Sequence, residues 1–433
     1  MYKIFSSCLL FLLISHSFAQ NFPRLNQLVD SLAAHDKFMG NILVMQEGKP
    51  LFEKSVGYGN ITSKTKLSED SKFRIASISK MFTAVIYFKT VESGKLHASQ
   101  RLSEFFPSIS KADSIIIDNL LNHRSGIYNY TDEDFLEYKS NPQSPEFLLN
   151  KIIEGGSEFS PGSDSWYSNS NYLLLTFILE KVNGAPLDQL IKKWITDPLE
   201  MKNTFLPESS DHPEVNSYSY YNDWQLVEPA DPSVLLGAGA IISTTEDLAK
   251  FAEGLFKGKL INKESLSNML TIESAFGRGI SSFPFDEHAG YGHMGGIDGF
   301  QSLLSYFPTE DLTICLLSNG MNYNYGNISE AIVSAYFGHE IEIPNLKNIV
   351  LSEQELKKYI GEYSSDDTPL EFTFSVEDGL LIAFPSGYEK AALSPKSLDT
   401  FEYTPVNAVL IFNPEKGEMQ LNQGGDSYLF RKK

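Results

Sequence analysis

The sequence predicts an α/β or α+β sandwich, in which an antiparallel sheet is covered by a helical cluster, followed by a small all-β, barrel-like module. Three observations carry that prediction. Two long stretches place apolar residues at helical spacing, a late group of short apolar runs is separated by turn residues, and the tail is dominated by strand signals. At 433 residues the chain exceeds the usual size of one compact domain, which favours a large domain with a smaller appendage.

The first element is a hairpin: Asn41–Met45 and Pro50–Lys54 flank a glycine-bearing turn at 46–49. Residues 78–91 put Met81, Val85 and Phe88 on one face before Gly94 ends the helix. A second buried helix runs from about Tyr172 to Val182 and stops at Asn183-Gly184. From Tyr291 the pattern shortens into sequential antiparallel strands, with Gly299–Phe307, a turn at 308–310, and Leu312–Leu317. A last helix covers Ile328–Tyr336, and Ile343-Pro344-Asn345 reads as a linker. Beyond it, Leu370–Val376 and Leu380–Phe384 flank Glu377-Asp378-Gly379, and Val409–Phe412 and Tyr428–Phe430 follow. The domain division is therefore a leader over 1–19, a main domain over 20–342, and an all-β domain over 350–433.

Hydrophobic residues at 42% and charged residues at 21% describe an ordinary globular protein. A net charge of −20 repels phosphate backbones and anionic membrane surfaces, which excludes nucleic acid as a partner. The opening residues combine Lys3, the apolar run Leu9–Ile14 and the small-residue exit Ser17-Phe18-Ala19, the pattern of a secretory signal cleaved after Ala19. The apolar run is too short for a permanent span, so the expected product is a periplasmic or secreted protein with no membrane segment. Cys8 lies in the leader. Cys315 then remains alone in an apolar strand, where it reads as a small core residue, and no intramolecular disulfide forms. No sequence feature specifies an oligomeric state.

The chemistry centres on Ser77-Ile78-Ser79-Lys80, at the head of the first buried helix. Serine at a helix N-terminus sits in a favourable dipole field, and lysine one turn later shares its face. Ser63–Lys66 and Ser108–Lys111 fit the same spacing, but neither opens an apolar helix. A lysine acts as a base near neutral pH only when burial or neighbouring charge lowers its proton affinity, and a second hydroxyl assists the nucleophile. Tyr167-Ser168-Asn169 supplies that hydroxyl, on a structured loop before the second buried helix. Tyr220–Asn222 and Tyr325–Asn327 share the triplet but sit in polar, tyrosine-rich stretches that read as surface loops. The third element is His293-Met294-Gly295-Gly296, whose glycines lead into the strand hairpin and let a substrate backbone approach its edge. It is preferred over His288-Ala289-Gly290 for that continuity.

In this order the three elements resemble the family of serine β-lactamases, DD-peptidases, D-aminopeptidases and related esterases, particularly its class C branch. The resemblance spans roughly 25–340. It is carried by Phe73–Lys80, Leu120–Ile127, Tyr167–Tyr172, Gly237-Ala238-Gly239 with Ser243–Leu248, and Gly292–Gly296. The tail resembles lipocalin-like modules. The resemblance implies a β-lactamase/DD-peptidase-like sandwich in which Ser77 attacks a carbonyl and Lys80 and Tyr167 share the proton transfer. It further implies that Asn169, His293 and Gly295 contact substrate, and that the backbone N–H groups of Ser77 and Gly296 form an oxyanion hole. No metal or organic cofactor is implied.

Where classical β-lactamases of the family carry Lys-Thr-Gly, this chain has His293-Met294-Gly295. Histidine is charged only part of the time near neutral pH and methionine donates no hydrogen bond, so a substrate carboxylate is poorly received. The expected activity is hydrolysis of peptides containing D-amino acids, or of small esters, rather than of β-lactams. A non-catalytic envelope sensor or scaffold on the same fold is the competing class.

Overall fold

The computed structural model describes residues 20–208 and 215–433. The leader predicted over 1–19 lies outside the described residues. The chain opens with α1 (Phe22–Ala34) and then the hairpin β1 (Phe38–Gln46) and β2 (Lys49–Val56). Much later come β3 (Tyr291–Ile297), β4 (Phe300–Phe307) and β5 (Leu312–Met321). The main sheet runs β2-β1-β5-β4-β3, with the short strand Ser281–Ser282 outside β3. Its named neighbours are antiparallel, with Leu43 opposite Cys315 and His293 opposite Leu304.

The sheet separates two cores, because successive side chains along each strand point to opposite faces. Ile42, Val44, Leu303, Ile314 and Leu316 face α1 and the closing helix α5, whose bounds are Tyr325–Phe337. Leu43, Leu304, Cys315 and Leu317 face the helical cluster. That cluster contains α2 (Ser79–Glu92), α3 (Asn169–Asn183) and α4 (Thr245–Phe256). Both α2 and α3 are buried nearly all round, as expected of helices that are apolar on every side. Gly184 ends α3 in the left-handed conformation at φ +65°.

Two local expectations change. Asn169 is the first residue of α3 rather than part of the preceding loop. Tyr325–Asn327 begins α5, capped by Asn324, and Tyr325 donates to the Ser302 carbonyl at 2.8 Å. It is therefore not a surface loop. Tyr220 and Tyr221 do lie in a short hairpin, Tyr218–Tyr220 with Trp224–Leu226.

The tail forms a closed eight-strand barrel: β6 (Gly361–Ser364), β7 (Glu371–Glu377), β8 (Leu380–Pro385), β9 (Ala391–Ser397), β10 (Thr400–Tyr403), β11 (Ala408–Asn413), β12 (Glu418–Gln423) and β13 (Asp426–Lys432). Closure comes from β13 pairing back onto β6 at Tyr363 and Lys432. Polar bonds join the barrel to the sandwich. Lys37 donates to Thr404 Oγ1 at 3.0 Å, Thr404 Oγ1 donates to the Asn322 carbonyl at 2.9 Å, and Tyr221 donates to Glu377 at 2.9 Å. Among the described residues no helix is long and apolar enough to cross a membrane.

Candidate active site

Ser77 sits in a 3-10 turn, Ala76–Ile78, that runs directly into α2. The turn is strained: Ala76 has φ +46°, a conformation that costs an L-residue about 1 kcal/mol or more. Several contacts hold it there. Ile75 N–H donates to the Ile241 carbonyl at 3.0 Å, and Ser302 Oγ of β4 donates to the Ile75 carbonyl at 2.8 Å. Gly295 of β3 packs against the same turn, where a Cβ would lie 2.5 Å from the Ile75 carbonyl oxygen and 2.9 Å from Ala76 Cβ. Only glycine lets the strand come this close. Gly295 is thus placed against the turn beneath Ser77, while Gly296 is exposed and lines the cleft.

One turn into α2, Lys80 is fully buried. Its Nζ lies 3.1 Å from Ser77 Oγ, 2.7 Å from Asn169 Oδ1 and 2.6 Å from the Ala238 carbonyl oxygen. Tyr167 donates its phenolic hydrogen to Ser77 Oγ at 2.7 Å. Burial, with no carboxylate paired to it among the described residues, holds the Lys80 amine well below the usual lysine range. Burial also pushes the Tyr167 phenol far above its ordinary value, against a weaker downward pull from the Ser77 hydrogen bond. The resulting arrangement is chemically coherent. A neutral Lys80 donates two hydrogens to Asn169 and Ala238, which leaves its lone pair directed at the Ser77 hydroxyl. The groups that a serine nucleophile requires are therefore assembled around one oxygen.

Asn169 is itself braced, its N–H donating to Asn129 Oδ1 at 2.9 Å and its Nδ2 to Thr131 Oγ1 at 2.8 Å. His293 is 8 % exposed and its Nδ1–H donates to the Met294 carbonyl at 2.5 Å. Burial first, then the neighbouring Lys80, lower its pKa to about 4. His293 is consequently uncharged at neutral pH, whereas the sequence suggested partial charge. Met294, 47 % exposed, is the large side chain this strand shows to solvent. A cleft of about 210 Å³ opens beside Ser77, lined by Thr131, Phe135, Asn169, Ala238, Gly296 and Ile297 among others. Among the described residues no group of three His, Cys, Asp or Glu side chains is arranged to hold a metal ion.

Residues 25–335 match the family model described as Beta-lactamase. The chain belongs to the β-lactamase family. Within this family its relatives include penicillin-binding protein 4* of Bacillus subtilis strain 168, 28% identical over 79% of this chain and 83% of that protein. Among solved structures, a D-stereospecific amidohydrolase from Streptomyces sp. is 24% identical, with a TM-score of 0.63 over 73% of this chain and 98% of its own. An octameric penicillin-binding protein homologue from Pyrococcus abyssi, 21% identical with a TM-score of 0.67, covers 95% of this chain and 100% of its own. The structural likeness therefore extends past the family match into the barrel.

Further residues of this β-lactamase-family site carried no assigned role in the sequence reading. His123, at φ +57° and 2 % exposed, stacks on the Tyr167 ring at 4.4 Å. Its Nδ1 accepts the Ser168 N–H at 3.1 Å, which puts the ring hydrogen on Nε2. Burial, reinforced by Lys80 and His293, holds this imidazole well below its ordinary pKa. Asp298, in the β3–β4 turn, accepts from Lys139 Nζ and from Ala230 N–H, both at 2.6 Å. That side chain is 3 % exposed, so the bonds pin the turn next to the cleft. The stretches containing His123 and Ala238 were visible in the sequence. Nothing in them marks a backbone carbonyl as the partner of a lysine.

Proposed function

We propose that the protein is an exported serine hydrolase that works through an acyl-enzyme on Ser77 and cleaves D-amino-acid peptides, their amides, or small esters. The single observation that carries this reading is the convergence of Lys80 and Tyr167 on Ser77 Oγ, in surroundings that favour the neutral amine. Ser77 adds to the carbonyl carbon as its proton passes to Lys80. The carbonyl oxygen takes up negative charge facing the backbone N–H groups of Ser77 and Gly296. When the C–N or C–O bond breaks, Tyr167 protonates the leaving atom and Lys80 returns the proton to the phenol. Water then adds to the ester, releases a carboxylic acid and restores Ser77, the same groups moving its proton in reverse.

The substrate class follows from the third strand. With His293 uncharged and Met294 exposed on β3, this strand offers no cation to a substrate carboxylate. A neutral amide or ester is better received than a β-lactam or a free C-terminal carboxylate. The D-stereospecific amidohydrolase neighbour accords with this reading. The leader sequence supports export.

A labelled fluorophosphonate followed by peptide mass mapping tests the chemistry, with the adduct expected on Ser77 and absent in Ser77→Ala. An adduct elsewhere, or none, returns the chain to a non-catalytic role. Turnover of D-aminoacyl anilides, D-Ala-D-Ala peptides, p-nitrophenyl esters and a chromogenic cephalosporin ranks the substrates, and the cephalosporin is expected to be slowest.

A further inference from the structure

Asp298-Gly299 is the two-residue turn that joins β3 to β4, closed by Ile297 opposite Phe300. Both residues are left-handed, at φ +50° and +84°, as a type I′ hairpin turn requires, and aspartate followed by glycine is a common choice there. Such a turn asks nothing further of the aspartate side chain, and surface turns normally leave it in water. Here the carboxylate is buried, which aspartate rarely tolerates unless it is paired.

Its partners come from three other segments. Lys139 Nζ donates to Oδ1 and the Ala230 N–H to Oδ2, and the Arg74 guanidinium stands 4.0 Å from Oδ2. Arg74 lies on the short strand Phe73–Arg74 and also donates to the Ala230 carbonyl at 2.5 Å, so Ala230 is held through both its N–H and its carbonyl. Burial disfavours the Arg74 charge, and Asp298 is foremost among the groups that favour it. Lys139 follows the helical turn Phe135–Tyr138 and donates to the Glu228 carbonyl at 2.8 Å, while its own carbonyl accepts the Asp231 N–H at 2.6 Å. Each segment continues into a wall of the Ser77 cleft. Arg74 leads to Ala76 and Ser77, Ala230 leads to Leu235 and Ala238, Phe135 precedes Lys139, and Gly296 and Ile297 precede Asp298.

We propose that Asp298 is a positioning residue for acyl transfer: its buried carboxylate fixes the separation of the Ser77 and Gly296 N–H groups by tying β3 to the strand that enters the Ser77 turn. This rests on the acyl-enzyme reading given above. Oxyanion donors act only within about 2.7–3.1 Å of the developing charge, and a misplacement of about 1 Å can cost roughly a hundredfold in rate. The carboxylate's own field opposes an oxyanion, and the flanking Arg74 and Lys139 cations offset it. Because the clamp acts on the oxyanion rather than on the bound substrate, its loss lowers kcat and leaves KM nearly unchanged.

Asp298→Asn and Asp298→Gly both suit a left-handed turn, so a role in the turn alone predicts wild-type kinetics in each. Expected instead, on a p-nitrophenyl ester, is a kcat lower by about tenfold or more in Asp298→Asn and lower still in Asp298→Gly, with KM within about twofold of wild type. Phenylboronic acid provides the second readout. Ser77 Oγ adds to its boron, the serine proton passes to Lys80, and the tetrahedral borate places an oxygen between the two N–H groups. Its affinity should fall by about the same factor as kcat. Lys139→Met removes one partner from the rim of the cluster and should move both readouts the same way by a smaller factor; it carries the test if circular dichroism shows the Asp298 variants unfolded. Wild-type kcat and boronate affinity in the folded variants overturn the positioning role, as does a rise in KM at unchanged boronate affinity. If the wild type neither turns over the ester nor binds the boronate, the hydrolase reading itself fails and takes this role with it.

Discussion

The cleft beside Ser77 and the bowl of the barrel differ in what their walls are made of and in how far apart in sequence those walls originate. Around Ser77, polar atoms from 76–80, 167–169 and 237–239 are bonded to one another in a buried setting. Each has a designated partner, and removing one leaves another unsatisfied. The bowl is built from a single stretch of chain, and its volume comes from what its alanines omit. Polar geometry and apolar space therefore respond differently to substitution. In the cleft, one lost atom abolishes a step; in the bowl, added methylenes only reduce the open volume by degrees.

The largest expected effect tests whether the two regions are separate. Ser77→Ala and Lys80→Met should each lower ester and amide turnover by about a thousandfold or more, since nucleophile and base act as a unit. Neither should alter the hydrogen-exchange protection of β7 and β8 in the barrel. A parallel loss in both measurements would mean that the two regions are coupled rather than independent. Tyr167→Phe comes next. It keeps the ring stacked on His123 and removes only the hydroxyl bonded to Ser77 Oγ, so kcat should fall roughly 10²–10⁴-fold with KM little changed. A comparable rise in KM would assign the hydroxyl to substrate binding instead.

Gly295→Ala has a smaller effect that reports on the backbone scaffold. The added methyl would meet Ser302 Oγ at 2.4 Å, the Ile75 carbonyl oxygen at 2.5 Å and Ala76 Cβ at 2.9 Å. Relieving those clashes moves β3 away from the Ser77 turn. Overpacking of this kind costs about 1–3 kcal/mol, and turnover should drop about tenfold or more with the displaced strand. Denaturant unfolding and steady-state kinetics on the same preparation measure both. Loss of stability without loss of turnover would show that the strand's position against the turn is structural only.

How much of this was legible in the sequence varies with how local the cause is. The helix predicted over 78–91 is Ser79–Glu92, because apolar spacing along one stretch is sufficient to specify it. Ser77 likewise stands out in the sequence by its position at that helix head. Asn169 was placed on a loop because the polar run Ser168–Asn171 hides the start of α3 behind residues that otherwise favour turns. The hairpin neighbours of the sheet were legible, but the junction that joins β1 to β5 was not. Pairing Leu43 with Cys315 depends on a long-range fit between two apolar strands, and no residue in either names the other. The barrel cavity is a similar case. Ala383, Ala391 and Ala408 leave space only because closure of the barrel turns all three inward.

The last prediction separates the two regions by pH. The barrel contains no histidine, whereas His293 is buried in the sandwich with its pKa lowered to about 4 from 6.5. Between those values the unfolded chain binds a proton at this position that the folded chain does not. Stability therefore falls as pH drops from about 6.5 towards 4, by about 3 kcal/mol for this group when the drop is complete. His123, held low by the same burial, adds in the same direction. The loss belongs to the sandwich, so backbone amides of β3 and β4 should lose hydrogen-exchange protection at pH 5 relative to pH 7, after correction for intrinsic rates. Those of β7 and β8 should keep theirs. His293→Gln removes one titrating group, and its stability should vary less with pH over this window than that of the wild type. Equal acid sensitivity in the variant would mean that His293 exchanges its proton freely in the folded state, and equal loosening of the barrel would mean that the two regions unfold as one unit.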